Sequence, residues 1–417
     1  MQQAIEAMFD GWAEHLAARL GAVRSPRPQL PLIPLAVDVP ALQQQRADQQ
    51  ARQALRQRLG IPADELLVLW VGRLSYYEKA FPQAMFEAVA RASARSGQRL
   101  HFALLGWFPG GDADLKRYQQ AADHLAPELN VLVLDGNDPQ LLAQSWAAAD
   151  LFLSLVDNIQ ETFGLAPVEA MAAGLPVVVS DWDGYRYTVR DGVDGFRIPT
   201  LGSPGGAPGA LLAGLHGLEL ETYQTYVGAV AQHTAVHIDQ AAAALARLAQ
   251  DPALRRAMGA AARQRASSVF SWPVVVGQYV DLFAELAERR SSASADEGTA
   301  GATLQPVRGE PFADFRGFAT QVLEPALQLR LAPTVQPQDL HNLLQVELNA
   351  LYPGLRAQPA EAEALLLELQ RSPAGCSVQQ LLAAAPVERR PYLETTLVWL
   401  AKLGLVDWSS ASTGAEI

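Results

Sequence analysis

Two glutamates, Glu161 and Glu169, stand eight positions apart in the apolar, glycine-rich run ETFGLAPVEAMAAGLPVVVSDWDG, residues 161–184. A charge is costly to bury without a partner, so these carboxylates are either helix-end decorations or ligand contacts. The stretch APVEAMAAG (166–174) reads as a helix, with Pro167 in its first turn and Gly174 as its stop. Glu161 then lies in the loop before the helix and Glu169 within its first turns. Amides at such a helix start can hold an anion, and Gly164 permits close approach of a ligand. The carboxylates could accept hydrogen bonds from polyol hydroxyls. The plainer alternative is that Glu169 favours a helix N-terminus and Glu161 is solvated.

A second run, VGRLSYYEK (71–79), carries Arg73 and Lys79 in one loop, with Gly72 making the turn. Arginine can clamp phosphate oxygens bidentately, and lysine adds a mobile point charge. Alone, both could be ordinary surface charge. If the two loops share a sheet edge, the set of two cations, helix-start amides and two carboxylates suits a diphosphate joined to a sugar at one end and a ribose at the other.

Positioning these loops falls to a strand–helix alternation. Strands are expected at 66–71, 100–107, 129–136, 150–156, 175–182 and 194–199. Helices are expected at about 81–96, at KRYQQAADHLA and at 139–149. This pattern implies α/β architecture: a parallel sheet with helices on both faces, whose ligands bind beyond the carboxyl ends of the strands. Residues 2–21 read as an amphipathic helix with Met8, Phe9, Trp12 and Leu16 on its stripe, residues 31–42 as a short strand and turn, and 43–60 as a helix. Residues 201–210 read as a flexible Gly/Pro loop, and 239–249, 251–267 and 272–288 as helices.

With 417 residues the chain can hold two or three domains. The organisation expected is 1–40, an inter-domain helix and crossing strand; 41–288, the α/β domain; 289–311, a small, polar, flexible linker; and 312–417, a helical domain. The net charge of −12 disfavours nonspecific nucleic-acid binding. The lone Cys376 excludes an intrachain disulfide, and its expected state is a small buried hydrophobe. The seven histidines are scattered, so no metal site is expected. No signal peptide or membrane-spanning helix is expected, and a cytoplasmic location follows by default.

The stretches IPLAVD (33–38), VGRLSYYEK (71–79), AAADLFLSL (147–155), ETFGLAPVEAMAAGLPVVVSDWDG (161–184) and VRDGVDGFRIP (189–199) together resemble the retaining glycosyltransferases of family 4, which have the GT-B fold of two facing Rossmann-like domains. The resemblance covers roughly residues 1–288, and the family's paired-glutamate motif falls on Glu161 and Glu169. It implies that Arg73 and Lys79 neutralise the donor's diphosphate, that Glu161 touches the transferred sugar, and that Glu169 holds the ribose hydroxyls. It places Gly72 and the amides of Phe163, Gly164 and Leu165 at the sugar and phosphate, and the base near Gly106–Gly111 and Asp135–Asn137. The donor implied is a UDP- or GDP-linked sugar, with no cofactor and no metal. Transfer would keep the anomeric configuration, the leaving diphosphate helping to deprotonate the acceptor.

Several positions depart from the family pattern. SLVDNIQ (154–160) stands where most members have a proline–serine, Tyr187 where many have an acidic residue, and GWFPGG (106–111) is bulkier than the usual turn. A complete member also has an N-terminal domain that supplies most acceptor contacts, and only its last helix and crossing strand are recognisable here. The expectation is therefore a transferase that needs a missing domain or partner, docked as a homo-oligomer or partner protein through residues 1–40. The alternative is a non-catalytic nucleotide-sugar-binding or interaction protein built on half of such an enzyme.

Beyond the linker, 315–331, 338–355, 361–370, 377–385 and 391–408 read as amphipathic helices, the last pair resembling a winged-helix-like bundle in outline. Arg389, Arg390 and Lys402 are too few for a DNA-binding face, so partner docking or structural packing is expected.

Overall fold

The computed structural model describes residues 1–25, 27–292 and 310–409. Six parallel strands form the central sheet: β1 (Leu66–Arg73), β2 (Leu100–Trp107), β3 (Asn130–Asp135), β4 (Leu151–Ser154), β5 (Val177–Ser180) and β6 (Gly195–Ile198). Their order is β3-β2-β1-β4-β5-β6. All four residues of β4 and of β5 are buried, as expected for strands covered on both faces. Helices Pro82–Ser96 and Ile238–Gln250 pack on each other, as do Leu165–Ala172 and Pro252–Val269. The result is a Rossmann-like parallel sheet with flanking helices.

The strand order fixes where a ligand can sit. From β1 the chain builds outward through β2 and β3, then returns to place β4 on the other side of β1. The connections after β1 and β4 therefore diverge and leave a crevice at their carboxyl ends. Arg73 is the last residue of β1, Lys79 lies in the connection that follows, and Glu161 lies in the connection after β4.

Several local expectations are corrected. Residues 31–38 form no strand, only an isolated bridge between Val37 and Ser271, because Pro31 and Pro34 have no N–H to donate. The helix expected at 43–60 is two helices, Val39–Ala47 and Gln49–Arg58, broken at Asp48, whose carboxylate caps the Ala51 amide at 2.8 Å. The expected loop 201–210 contains β7 (Thr200–Gly202) and the start of helix Ala207–Gly217. β7 pairs with β8 (Thr234–Val236) and, in parallel, with β9 (Gln321–Val322). The stretch 315–331 is not a helix: Pro325 interrupts it, and β10 (Gln328–Leu331) follows. Residues 289–292 complete helix Trp272–Ser292, and 293–309, the bulk of the expected linker, lie outside the described residues.

The C-terminal region is mainly helical around a small sheet ordered β11-β10-β12, with β11 at Cys376–Ser377 and β12 at Val406–Ser409. The helix expected at 338–355 is instead two short helices, Asp339–Leu344 and Glu347–Ala350, and a 3-10 turn at Pro353–Leu355, which Pro353 opens. Helices Pro359–Arg371, Val378–Leu381 and Arg390–Lys402 follow, so the helices expected at 377–385 and 391–408 end early, the second giving way to β12. Helix Arg390–Lys402 is buried at Leu393 and throughout Thr395–Lys402 and packs against β8. His237 and Trp408 rings lie 4.5 Å apart across the same junction. Its buried face is spent inside this chain.

Candidate functional site

Lys79 is the centre of the arrangement. Its ammonium pairs with Glu161 Oε2, and it is also the charge that acts on Glu169. The other Glu161 oxygen accepts the Gly164 amide at 2.9 Å, so this carboxylate occupies the helix start. The structure thus brings Lys79, Glu161, Gly164 and Glu169 together. Arg73 instead pairs with Glu78 at 3.0 Å and keeps 41% of its side chain exposed, against 25% for Lys79 and 9% for Glu161. Gly72 leaves room for the Trp70 ring and the Lys79 stem, both within 3.5 Å of where a Cβ would stand.

Gly164 has a φ of 90°, and any Cβ there would overlap the Tyr185 ring. Tyr185 is buried at 1% exposure and its hydroxyl shares a 2.9 Å hydrogen bond with Ser154. Burial first, and Glu161 next, hold that hydroxyl well above its ordinary pKa. Phe163 packs edge-on to Phe270 at 6.0 Å, and Leu165, the first residue of helix Leu165–Ala172, is exposed. Gly184 lies against the backbone of Thr162 and Phe163, which draws the segment after β5 into the same edge. Tyr187 packs on Phe270 at 6.0 Å. On the other flank, the Gly136 amide donates to Gly106 O at 2.8 Å, and Trp107 stays exposed.

Sequence reasoning missed Asp157 and Asn158, which lace the two loops, and Tyr185, which packs against Gly164. Asp157 Oδ1 accepts the Phe81 amide at 3.2 Å, and Asn158 Nδ2 donates to Tyr77 O at 2.7 Å. Both belong to the DNIQ departure, which was the available signal. Tyr185 had none, since its role depends on the close approach of Gly164.

Burial raises the Glu169 carboxyl to about 7, with Lys79 pulling the other way. The folded chain therefore holds this proton to higher pH than the unfolded chain does. Glu169's contribution to stability is full below about 4.5 and is lost as pH rises through 7. Glu169→Gln is expected to stabilise the protein at pH 8 by on the order of 1–3 kcal/mol, with little change at pH 4.5. Urea unfolding of both proteins at the two pH values reads this, and identical pH slopes would contradict it.

Among the described residues no group of histidine, cysteine, aspartate and glutamate could hold a metal ion, and no helix is long and apolar enough to cross a membrane. Cys376 is half-buried and not the fully buried residue expected, and desolvation still raises its thiol, which disfavours its reactive thiolate.

Residues 51–203 match the family model described as glycosyl transferases group 1. The D-inositol 3-phosphate glycosyltransferase of Corynebacterium glutamicum (strain R) is 32% identical over 149 residues, 36% of this chain and 35% of that protein. The enzyme of the same name from Streptomyces griseus subsp. griseus is 30% identical over 255 residues, 59% of this chain and 45% of that one. The chain thus spans between about a third and a half of the length of these curated relatives. Among solved structures, Anabaena Alr3699/HepE in complex with UDP and glucose superposes with a TM-score of 0.44 at 22% identity, covering 62% of this chain and 55% of that one. The C-terminal domain of the glycosyl transferase group 1 family protein LpcC from Francisella tularensis gives 0.40 at 16% identity, covering 57% and 99%. Through residues 51–203 the chain is related to the glycosyl transferases of group 1.

Proposed function

We propose that the chain is the donor-binding part of a retaining glycosyltransferase that uses a UDP- or GDP-linked sugar. The observation that carries this reading is the convergence of Lys79, Glu161 and Glu169 at the crevice between β1 and β4. The diphosphate would lie against Lys79 and Arg73, drawing Lys79 from Glu161, and the ribose hydroxyls would donate to Glu169. Glu161 would then accept from the sugar hydroxyls while Gly164 keeps it oriented. In the transfer, the bond from the anomeric carbon to the phosphate oxygen breaks and one to the acceptor oxygen forms on the same face. The acceptor proton passes to the departing phosphate, whose growing charge Lys79 and Arg73 offset. No metal or cofactor enters this reading.

Acceptor binding is assigned to a further domain or partner. The helix Gln2–Leu20 already buries Ala4 and Trp12 within this chain. The surface left for docking includes Leu32 and Leu35 and, on helix Trp272–Ser292, Trp272, Val276, Val280 and Phe283, all exposed. A homo-oligomer or partner covering it would shield a large apolar surface. A cytoplasmic site of action, taken by default, is part of the same proposal.

Steady-state kinetics with that acceptor half supplied test the roles. Glu169→Gln is expected to raise the donor KM with little change in kcat, because ribose is bound alike in ground and transition states. Glu161→Gln is expected to lower kcat, since it faces the sugar on which charge develops. A turnover defect confined to Glu169→Gln would reverse the assignment. Donor binding without transfer in the assembled wild type would favour the non-catalytic alternative.

A further inference from the structure

A buried lysine of the C-terminal region reaches the underside of the candidate donor site. Lys402 Nζ pairs with Asp157 Oδ2 across 245 positions of sequence, and the two side chains are 2% and 3% exposed. The ammonium also donates to Thr234 O at 3.3 Å and lies 4.6 Å from the centre of the Phe81 ring. Gln83 Nε2 donates to Leu403 O at 2.8 Å, so the end of helix Arg390–Lys402 is fastened to the start of helix Pro82–Ser96.

Asp157 is the hinge of this contact. While one oxygen meets Lys402, the other accepts the amide of Phe81, two residues beyond Lys79. Asp157 also opens the segment that carries Glu161, and its neighbour Asn158 ties that segment to Tyr77. Trp182 Nε1 donates to Asn158 O at 3.0 Å, which adds the segment after β5. Desolvation pushes the Lys402 ammonium down and the Asp157 carboxyl up, and each charge counters the shift in the other. A buried pair of this kind adds little net stability against an apolar replacement, yet it fixes geometry. Losing the lysine alone strands a carboxylate that must find water or a new partner.

We propose that Lys402 is a positioning residue of the donor site, by which the C-terminal region holds the 75–81 and 157–164 loops in the register that joins Lys79 to Glu161. This rests on the donor-site reading above only for its consequence in binding; the loop register itself is independent of any ligand. The C-terminal region is thereby a working part of the site and not an appended module.

The test uses the full chain with Lys402→Met and, to keep a folded variant in hand, the double variant Asp157→Asn/Lys402→Met, which removes both buried charges but leaves an oxygen to accept the Phe81 amide. Hydrogen–deuterium exchange is expected to speed up by about tenfold or more in residues 76–81 and 157–164 of both variants. Amides of helix Arg390–Lys402 in the double variant should keep wild-type protection, which separates positioning from general loss of structure. Titration with UDP-glucose and GDP-mannose should show about a tenfold weaker Kd for the bound donor in the double variant. Unchanged loop exchange in the folded double variant would overturn the proposal, as would wild-type donor affinity in it. If the wild type binds neither nucleotide sugar, the donor reading fails, and loop exchange alone decides the role of Lys402.

Discussion

Lys79→Ala is expected to weaken binding of the nucleotide-sugar donor by on the order of 2–5 kcal/mol. Lys79 is three-quarters buried, and it is the cation that faces both glutamates. Its charge is balanced by Glu161, and an incoming diphosphate would compete for that ammonium. Without Lys79, two phosphates would have to settle beside two carboxylates with only the more exposed Arg73 to offset them. Arg73→Ala should act in the same direction but more weakly, because its guanidinium is 41% exposed and already paired with Glu78. Calorimetric titration separates the two variants, and equal small effects would remove Lys79 from the centre of the site.

Gly164→Ala is expected to destabilise the chain by about 2–5 kcal/mol, from a strained positive φ and from overpacking. The new methyl would meet the Tyr185 ring, which is buried and held by Ser154 and so has nowhere to move. The same change tilts the amide that orients Glu161. Urea unfolding reads the stability, and Tyr185→Leu in the same background should recover much of it by relieving the overlap. A variant as stable as wild type would show that the loop has room the structure does not give it.

The central sheet was legible because its strands are buried on both faces and therefore stand out as short apolar runs between glycines and charges. β2 matches its expected bounds, and β1 extends two residues further, to Arg73. Lys79 and Glu161 were legible as charges placed just after such strands, where the crevice between β1 and β4 must open. What could not be read was pairing at long range. Nothing local in GFATQVLEPALQLRL announces that Leu201 will pair with Gln321, or that Gln328–Leu331 will join strands more than forty residues on. Amphipathic spacing favoured helix there, and tertiary pairing overrode it. Lys402 looked like one of a few scattered basic residues, because the carboxylate that explains it lies 245 positions away. The apolar stripe of Gln2–Leu20 suggested a docking helix, whereas the larger exposed face belongs to Trp272–Ser292, whose sequence reads equally well as a packed helix.

The central claim is that the crevice after β1 and β4 binds a nucleotide-diphosphate sugar through Lys79 and Glu169. Calorimetric titration of the intact chain with UDP-glucose and with GDP-mannose tests it most directly. Saturable binding of one of them is expected at one site per chain, competed by its nucleoside diphosphate and weakened in Lys79→Ala and Glu169→Gln. Absence of binding by both sugars, or binding that neither substitution weakens, would contradict it.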